Sequence, residues 1–398
     1  MVLDSYTFLI VLSSLIVLSY VFDIVARRSK IPSVILLLTT GIFLQVAATY
    51  FNVALPGMRS ILELFGIIGL ILIVLEGALD LELKREKLPL IRKTLITATL
   101  TLLITAALIA WFVNFWLNVP YQIAIVNAIP LAVISSAIAI PSVTNLTPEK
   151  REFIVYEATF SDIIGIIAFN FAVQNERVGV GSFVALAVDL VSILLISVVC
   201  CLILLFFVDK IKSHIKFFLI IAILILLYSI GKKLHLSSLL MVLCFGLMLN
   251  NAALFIKDRL GKYISLRSLQ SEIVQLKQIN GESAFVIRTF FFLLFGFSID
   301  LQELYQLDIW VLGFTIFSII LLVRYAYLQY IAKVPLIPEL FIAPRGLITI
   351  LLFYSIPSQY VIEGMNESVL FFVVLLSSLL MMLGLMLTRN NVNDIPNY

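Results

Sequence analysis

The chain has 398 residues, 62% of them hydrophobic and only 13% charged, with a formal net charge of +3. A soluble domain carries roughly 45–50% apolar and about 25% charged residues, so the composition excludes a soluble enzyme. The small net charge gives no footing for a nucleic-acid partner.

Long apolar runs recur from Tyr6 to Leu387 without a soluble-sized interruption, which predicts a single all-α polytopic membrane domain over residues 1–398. Taking about 20 residues per crossing, the spans fall at 6–25, 32–51, 61–80, 94–117, 121–144, 153–173, 182–208, 215–231, 236–256, 283–301, 308–331, 336–357 and 368–388. The first follows Asp4 and lacks a basic leader or small-residue cleavage site, so it reads as a retained span. Loops after odd-numbered spans hold 20 Lys and Arg residues, those after even-numbered spans 4. By the positive-inside rule the N-terminus lies outside and the C-terminus in the cytoplasm of a cell membrane.

In the 257–283 connection, Leu266, Leu269, Ile273, Leu276 and Ile279 recur at helical spacing, which predicts an amphipathic helix on the membrane surface. Cys200, Cys201 and Cys244 all lie within apolar runs and read as small hydrophobes. His214 and His235 fall at span ends, and no transition-metal site or cofactor is expected.

Two segments echo each other across the chain. Ser33 to Gly41 in span two has the same eight-residue spacing as Ser238 to Gly246 in span nine, and Gly77-Ala78-Leu79-Asp80 resembles Gly296-Phe297-Ser298-Ile299-Asp300. The partners differ by an odd number of spans, so the copies enter the membrane from opposite sides. Inverted repeats over about 1–173 and 215–388, joined by a linker helix at about 182–208, are a transporter architecture with the site near the midplane. The same pairing matches span five, with Ser135, Ser136 and Pro141, to span twelve, with Pro344 and Gly346. Proline removes a backbone donor and glycine loosens a helix, so both spans are expected to break at Pro141, Pro344 and Gly346 around a buried cavity.

A charge inside a span costs a few kcal/mol by insertion scales and needs a partner or a task. Arg288 and Arg324 lie near span ends and can snorkel. Asp162 lies about nine residues into span six, roughly 13 Å deep at 1.5 Å per residue, and Arg345 lies at matching depth in span twelve. Glu157 precedes Asp162 by five positions, which turns it about 140° around the helix, so the carboxylates divide the work. Arg345 stays charged and is expected to form a structural ion pair with Glu157. Asp162, without a permanent counter-charge, then holds either a proton or a bare cation, never both. Ser161, Ser135, Ser136 and Glu76 are candidate oxygen ligands beside it.

At these residues the chain resembles the monovalent cation:proton antiporter superfamily, with its Nha-type sodium and Kef-type potassium exchangers. The likeness rests on the run from Lys30 to Gly41, Leu75-Glu76-Gly77, Ser135-Ser136, Tyr156-Glu157-Ala158-Thr159-Phe160-Ser161-Asp162 and Pro344-Arg345-Gly346-Leu347. It implies an NhaA-like fold with two broken crossing helices, a homodimer, elevator-like alternating access, and an aspartate that carries the ion while a glutamate five residues earlier pairs with an arginine. By motif match those roles fall on Asp162, Glu157 and Arg345. Members with an Asn-Asp pair are electroneutral and those with Asp-Asp electrogenic; Ser161 matches neither. The Thr-Asp-Pro of many sodium exchangers is replaced by Ser135-Ser136-Ala137, which looks more like the Kef side. The expected function is therefore proton exchange for Na+, with Li+ or K+ as other substrates, by one-for-one electroneutral transport. A sodium-coupled symporter of related fold and a transporter-derived sensor or channel are the competing readings.

Overall fold

The computed structural model describes residues 5–29, 31–51, 58–144, 146–175, 179–210, 216–234, 236–252 and 266–388. All regular structure among them is helical. In chain order the helices are α1 (Ser5–Ser29), α2 (Ser33–Tyr50), α3 (Met58–Asp80), α4 (Leu88–Leu117), α5 (Tyr121–Ala132), α6 (Ser136–Ser142), α7 (Pro148–Gln174), α8 (Val180–Lys210), α9 (Lys216–Lys233), α10 (Ser238–Asn250), α11 (Leu266–Ser298), α12 (Leu307–Ala326), α13 (Leu347–Tyr354) and α14 (Glu367–Leu387). Seven helical stretches among the described residues are long and apolar enough to cross a membrane, and Ser238–Asn250 is apolar but shorter. The span count of thirteen goes beyond what these lengths establish.

The pattern of burial on α4 shows the solvent the fold was built for. Its inward stripe is mostly small or hydroxylated, with Thr94, Thr97, Ala98, Thr101, Thr105, Ala106 and Ala110 buried beside Leu102, Ile109 and Val113, while Leu103, Trp111 and Phe115 are exposed. In water that arrangement would be inside out; in lipid, small inward residues let helices approach closely, and bulky apolar ones face the acyl chains. Thr94, Thr97 and Thr101 return their hydroxyls to carbonyls four residues earlier, which satisfies their donors within the helix.

The chain divides into two units. The first comprises Met1–Gly66, Leu90–Gly165 and Val286–Tyr398. Within it α1 packs on α2, α2 and α12 on α14, and α13 on α5 and α6. The α2–α11 crossing is backbone on backbone: a Cβ on Gly41 would meet the carbonyl of Leu293, and one on Gly296 that of Leu38. The second unit comprises Ile67–Pro89 and Ile166–Phe285, with α8, α9 and α10 packed on one another. In it, a Cβ on Gly246 of α10 would come within 2.8 Å of Ala78 and 2.9 Å of Leu75 on α3. The amides of Asn250 and Asn251 close the end of α3 by donating to Leu81 O at 2.9 and 3.0 Å.

Two expectations about elements are corrected. Residues 266–283 do not form a separate surface helix: they are the first turns of the continuous α11, and Asn280 is fully buried and donates to Leu72 O at 2.9 Å. The remainder of that connection lies outside the described residues, as do His214 and His235. Span five breaks, but not at Pro141. The helix stops after Ala132, Val133 to Ser135 are extended, and Pro141 sits inside α6. The carbonyl that Pro141 leaves without a helical donor, that of Ala137, is met by Arg288 instead, so the proline is accommodated within α6 and did not mark the break. Span twelve is broken more widely, being non-helical from Val334 through Gly346 before α13 begins, so Pro344 and Gly346 do lie in a break.

Candidate functional site

Breaking a helix at depth releases backbone donors and acceptors that must each find a partner. Around Val133–Ser135 those partners come from other elements of the first unit. The three successive N–H groups of Ile134, Ser135 and Ser136 donate respectively to Ser161 Oγ at 2.9 Å, Pro344 O at 2.9 Å and Asp162 Oδ2 at 3.3 Å. The freed carbonyls at the end of α5 are met by one side chain. Arg345 donates through Nε to Leu131 O at 2.9 Å and through Nη2 to Ala132 O at 3.2 Å, with Nη1 on Ala343 O at 2.7 Å. Thr349 Oγ1 reaches Val133 O at 3.5 Å. The two breaks are thus joined directly, by Ser135 on Pro344 and by Arg345 across both.

Arg345 therefore does not form the ion pair with Glu157 expected from the sequence. Glu157 is held by Arg324, Nη1 to Oε1 at 2.7 Å and Nη2 to Oε2 at 3.0 Å, a two-pronged pair with both side chains buried. The same guanidinium donates to Glu339 O, at 2.9 Å from Nε and 2.6 Å from Nη2, and to Ile342 O at 3.2 Å. Arg324 is not snorkelling. It lies 3% exposed near the end of α12, where the chain winds on in a wider turn over Tyr327–Ala332 and folds back to bury it. Its planar fork satisfies a carboxylate and backbone carbonyls together, which a lysine could not. Arg288, also expected at a span end, is 9% exposed and bonds Ala137 O of α6.

Glu339, whose backbone carbonyl covers Arg324, is also buried, with its Oε2 unpartnered among the described residues. Beside the Val133–Ser135 break, with Arg324 and Arg345 engaged in this way, the acid left over is Asp162. It is 4% exposed on α7, and its Oδ1 has no hydrogen-bond partner among the described residues. Ser135 Oγ, fully buried in the break, is likewise without one. Gly165, one turn beyond Asp162, lets α7 close on the break, since a Cβ there would collide with the Val133 side chain. The structure thus brings Ser135, Ser136, Ser161 and Asp162 together. Glu76 belongs to the second unit, half-buried on α3. The group that sequence reasoning missed is Arg324, whose covering segment lies in non-helical chain that no periodicity marks.

What this arrangement can do follows from its chemistry. Buried carboxylate and hydroxyl oxygens with open lone pairs suit a hard monovalent cation or a proton. Against known proteins, a family model described as sodium/hydrogen exchanger, transmembrane, matches residues 11–389. Two solved structures of the sodium proton antiporter MjNhaP1 from Methanocaldococcus jannaschii are similar in fold. That at pH 8 has a TM-score of 0.72 at 22% identity, covering 96% of this chain and 100% of the other. The other, from an electron-microscopy map, has a TM-score of 0.70 at 20% identity, covering 99% and 100%. No curated protein sequence matches the chain.

Proposed function

The chain belongs to the sodium/hydrogen exchanger family, a transporter family that exchanges cations for protons, and from that premise we propose that Asp162 is the carboxylate at which this chain's exchange takes place. The observation that carries the reading is the open Oδ1 of Asp162 beside broken backbone whose N–H groups at Ile134, Ser135 and Ser136 are taken. A proton on that carboxylate removes the charge that a cation needs, and a cation occupies the lone pairs that a proton needs. Occupants therefore alternate, and exchange follows if the site faces each side of the membrane in turn.

We assign Na+ as the cation, with Li+ or K+ as the alternatives, and Ser135, Ser136 and Ser161 as the neighbouring polar groups. Electroneutral, one-for-one exchange is supported by Asp162 being the one carboxylate bonded to the Ser135–Ser136 break among the described residues, while Arg324 answers Glu157. The inverted repeat is supported by a reciprocal contact: Gly41, closing one Ser-to-Gly segment, packs at Gly296, and Gly246, closing the other, packs at Ala78. Each matched glycine meets the acidic-ended helix of the opposite copy. An elevator-like movement, a homodimer, an outside N-terminus and a cytoplasmic C-terminus complete the reading.

The test is exchange in everted vesicles. Addition of Na+, Li+ or K+ collapses a preformed pH gradient in vesicles with the wild-type chain, and Asp162→Asn abolishes the response while the protein still accumulates in the membrane. Undiminished exchange in Asp162→Asn would remove Asp162 from this role.

A further inference from the structure

Pro141 deprives one carbonyl of α6 of its helical donor. In a helix the oxygen of Ala137 accepts from the backbone nitrogen four residues on, and that nitrogen belongs to Pro141. Proline offers no N–H there, and its ring pushes against that carbonyl and turns it outward. Arg288 of α11 fills the gap, donating from Nη1 to Ala137 O. Ala137 directly follows Ser136, whose N–H rests on Asp162. The helix is only seven residues long, so this tether, added to the bonds of the Ser135 and Ser136 N–H groups, helps to set where that end sits.

We propose that Arg288 is a positioning residue for ion exchange, substituting for the N–H that Pro141 lacks and so fixing the Ser135–Ser136 end of α6 against Asp162. The proposal rests on the reading of Asp162 as the ion-binding carboxylate. It gives a reason for a third buried arginine in the same unit as Arg324 and Arg345. It also makes a claim that a general structural role would not: the need for Arg288 is created by Pro141. Restoring a backbone donor at position 141 should therefore make Arg288 dispensable, although the charge is still gone.

The experiment compares Arg288→Met, Arg288→Gln, Pro141→Ala and the double variant Arg288→Met/Pro141→Ala in proteoliposomes, reading the KM for Na+ separately from the maximal rate. Loss of one buried hydrogen bond corresponds to roughly tenfold in an equilibrium constant, so Arg288→Met should raise KM about tenfold with a smaller change in maximal rate. Arg288→Gln keeps a donor and should stay near wild type, as should Pro141→Ala. The double variant should recover most of the lost affinity. A double variant no better than Arg288→Met overturns the proposal, as does an Arg288→Gln as impaired as Arg288→Met, which would assign the effect to charge. If Arg288→Met accumulates poorly, the same comparison is read on folded yield, where rescue by Pro141→Ala supports the tether and absence of rescue overturns it. Persisting exchange in Asp162→Asn would instead defeat the underlying site assignment, whatever these four variants did.

Discussion

At the residue scale, two buried arginines hold the site together by different means. Arg324 neutralises Glu157, and Arg345 closes the carbonyl end of α5. Truncating one partner of a buried pair leaves the other charge uncompensated, at a cost of about 3–5 kcal/mol. Arg324→Ala should therefore lower the thermal midpoint and folded yield strongly, and Glu157→Gln/Arg324→Met should be less impaired than the sum of the single changes. The same cycle run with Glu157 and Arg345 should show the smaller coupling, measured by thermal unfolding in detergent; equal coupling would contradict the partners seen here. Depth and spacing made Asp162 legible in the sequence, because a 3.6-residue repeat needs only the helix containing it. The partner of Glu157 was not legible. Depth pointed to Arg345 and left Arg324 as a snorkelling residue near a span end; the pairing goes to Arg324 because the carbonyls of Glu339 and Ile342 cover it once the chain turns back through a non-helical stretch.

At the scale of elements, the broken helix α5–α6 is stabilised by partners that arrive from α7 and from the break of span twelve. Ser161 takes the Ile134 N–H, so Ser161→Ala should leave a buried donor bare, at a cost of about 1–3 kcal/mol. Ser161→Thr, which keeps the oxygen, should retain more stability, and thermal unfolding distinguishes the two. The α2–α11 crossing makes a sharper case. A methyl group at Gly41 or Gly296 meets backbone, which cannot rotate away, so Gly41→Ala and Gly296→Ala should each destabilise by about 1–3 kcal/mol as overpacking does. Gly281, which has open space around its Cα, is the control: Gly281→Ala should be neutral or mildly stabilising. Matching midpoints at all three positions would refute the close crossing. Hydropathy was enough to locate most of these helices, but it misplaced the break of span five. Proline is a visible signal, yet the chain actually parts where distant residues supply the hydrogen bonds, and those contacts leave no local pattern.

For the whole molecule, the central claim is competition between a proton and a cation for one carboxylate, coupled to one-for-one exchange. A membrane potential of 100 mV acts on each net charge moved with about 2.3 kcal/mol, so an electroneutral exchanger should show the same cation-driven proton flux whether or not a potential is imposed. A flux that follows the potential would instead require a second charge in the cycle. The competition itself is most directly read by binding. Two ligands that exclude each other from one site are linked reciprocally, so each displaces the other as it binds. Purified protein in weak buffer with a pH indicator should therefore release about one proton per Na+ bound, and Asp162→Asn should release none. Saturable Na+ binding without proton release, or release that survives in Asp162→Asn, would contradict the account.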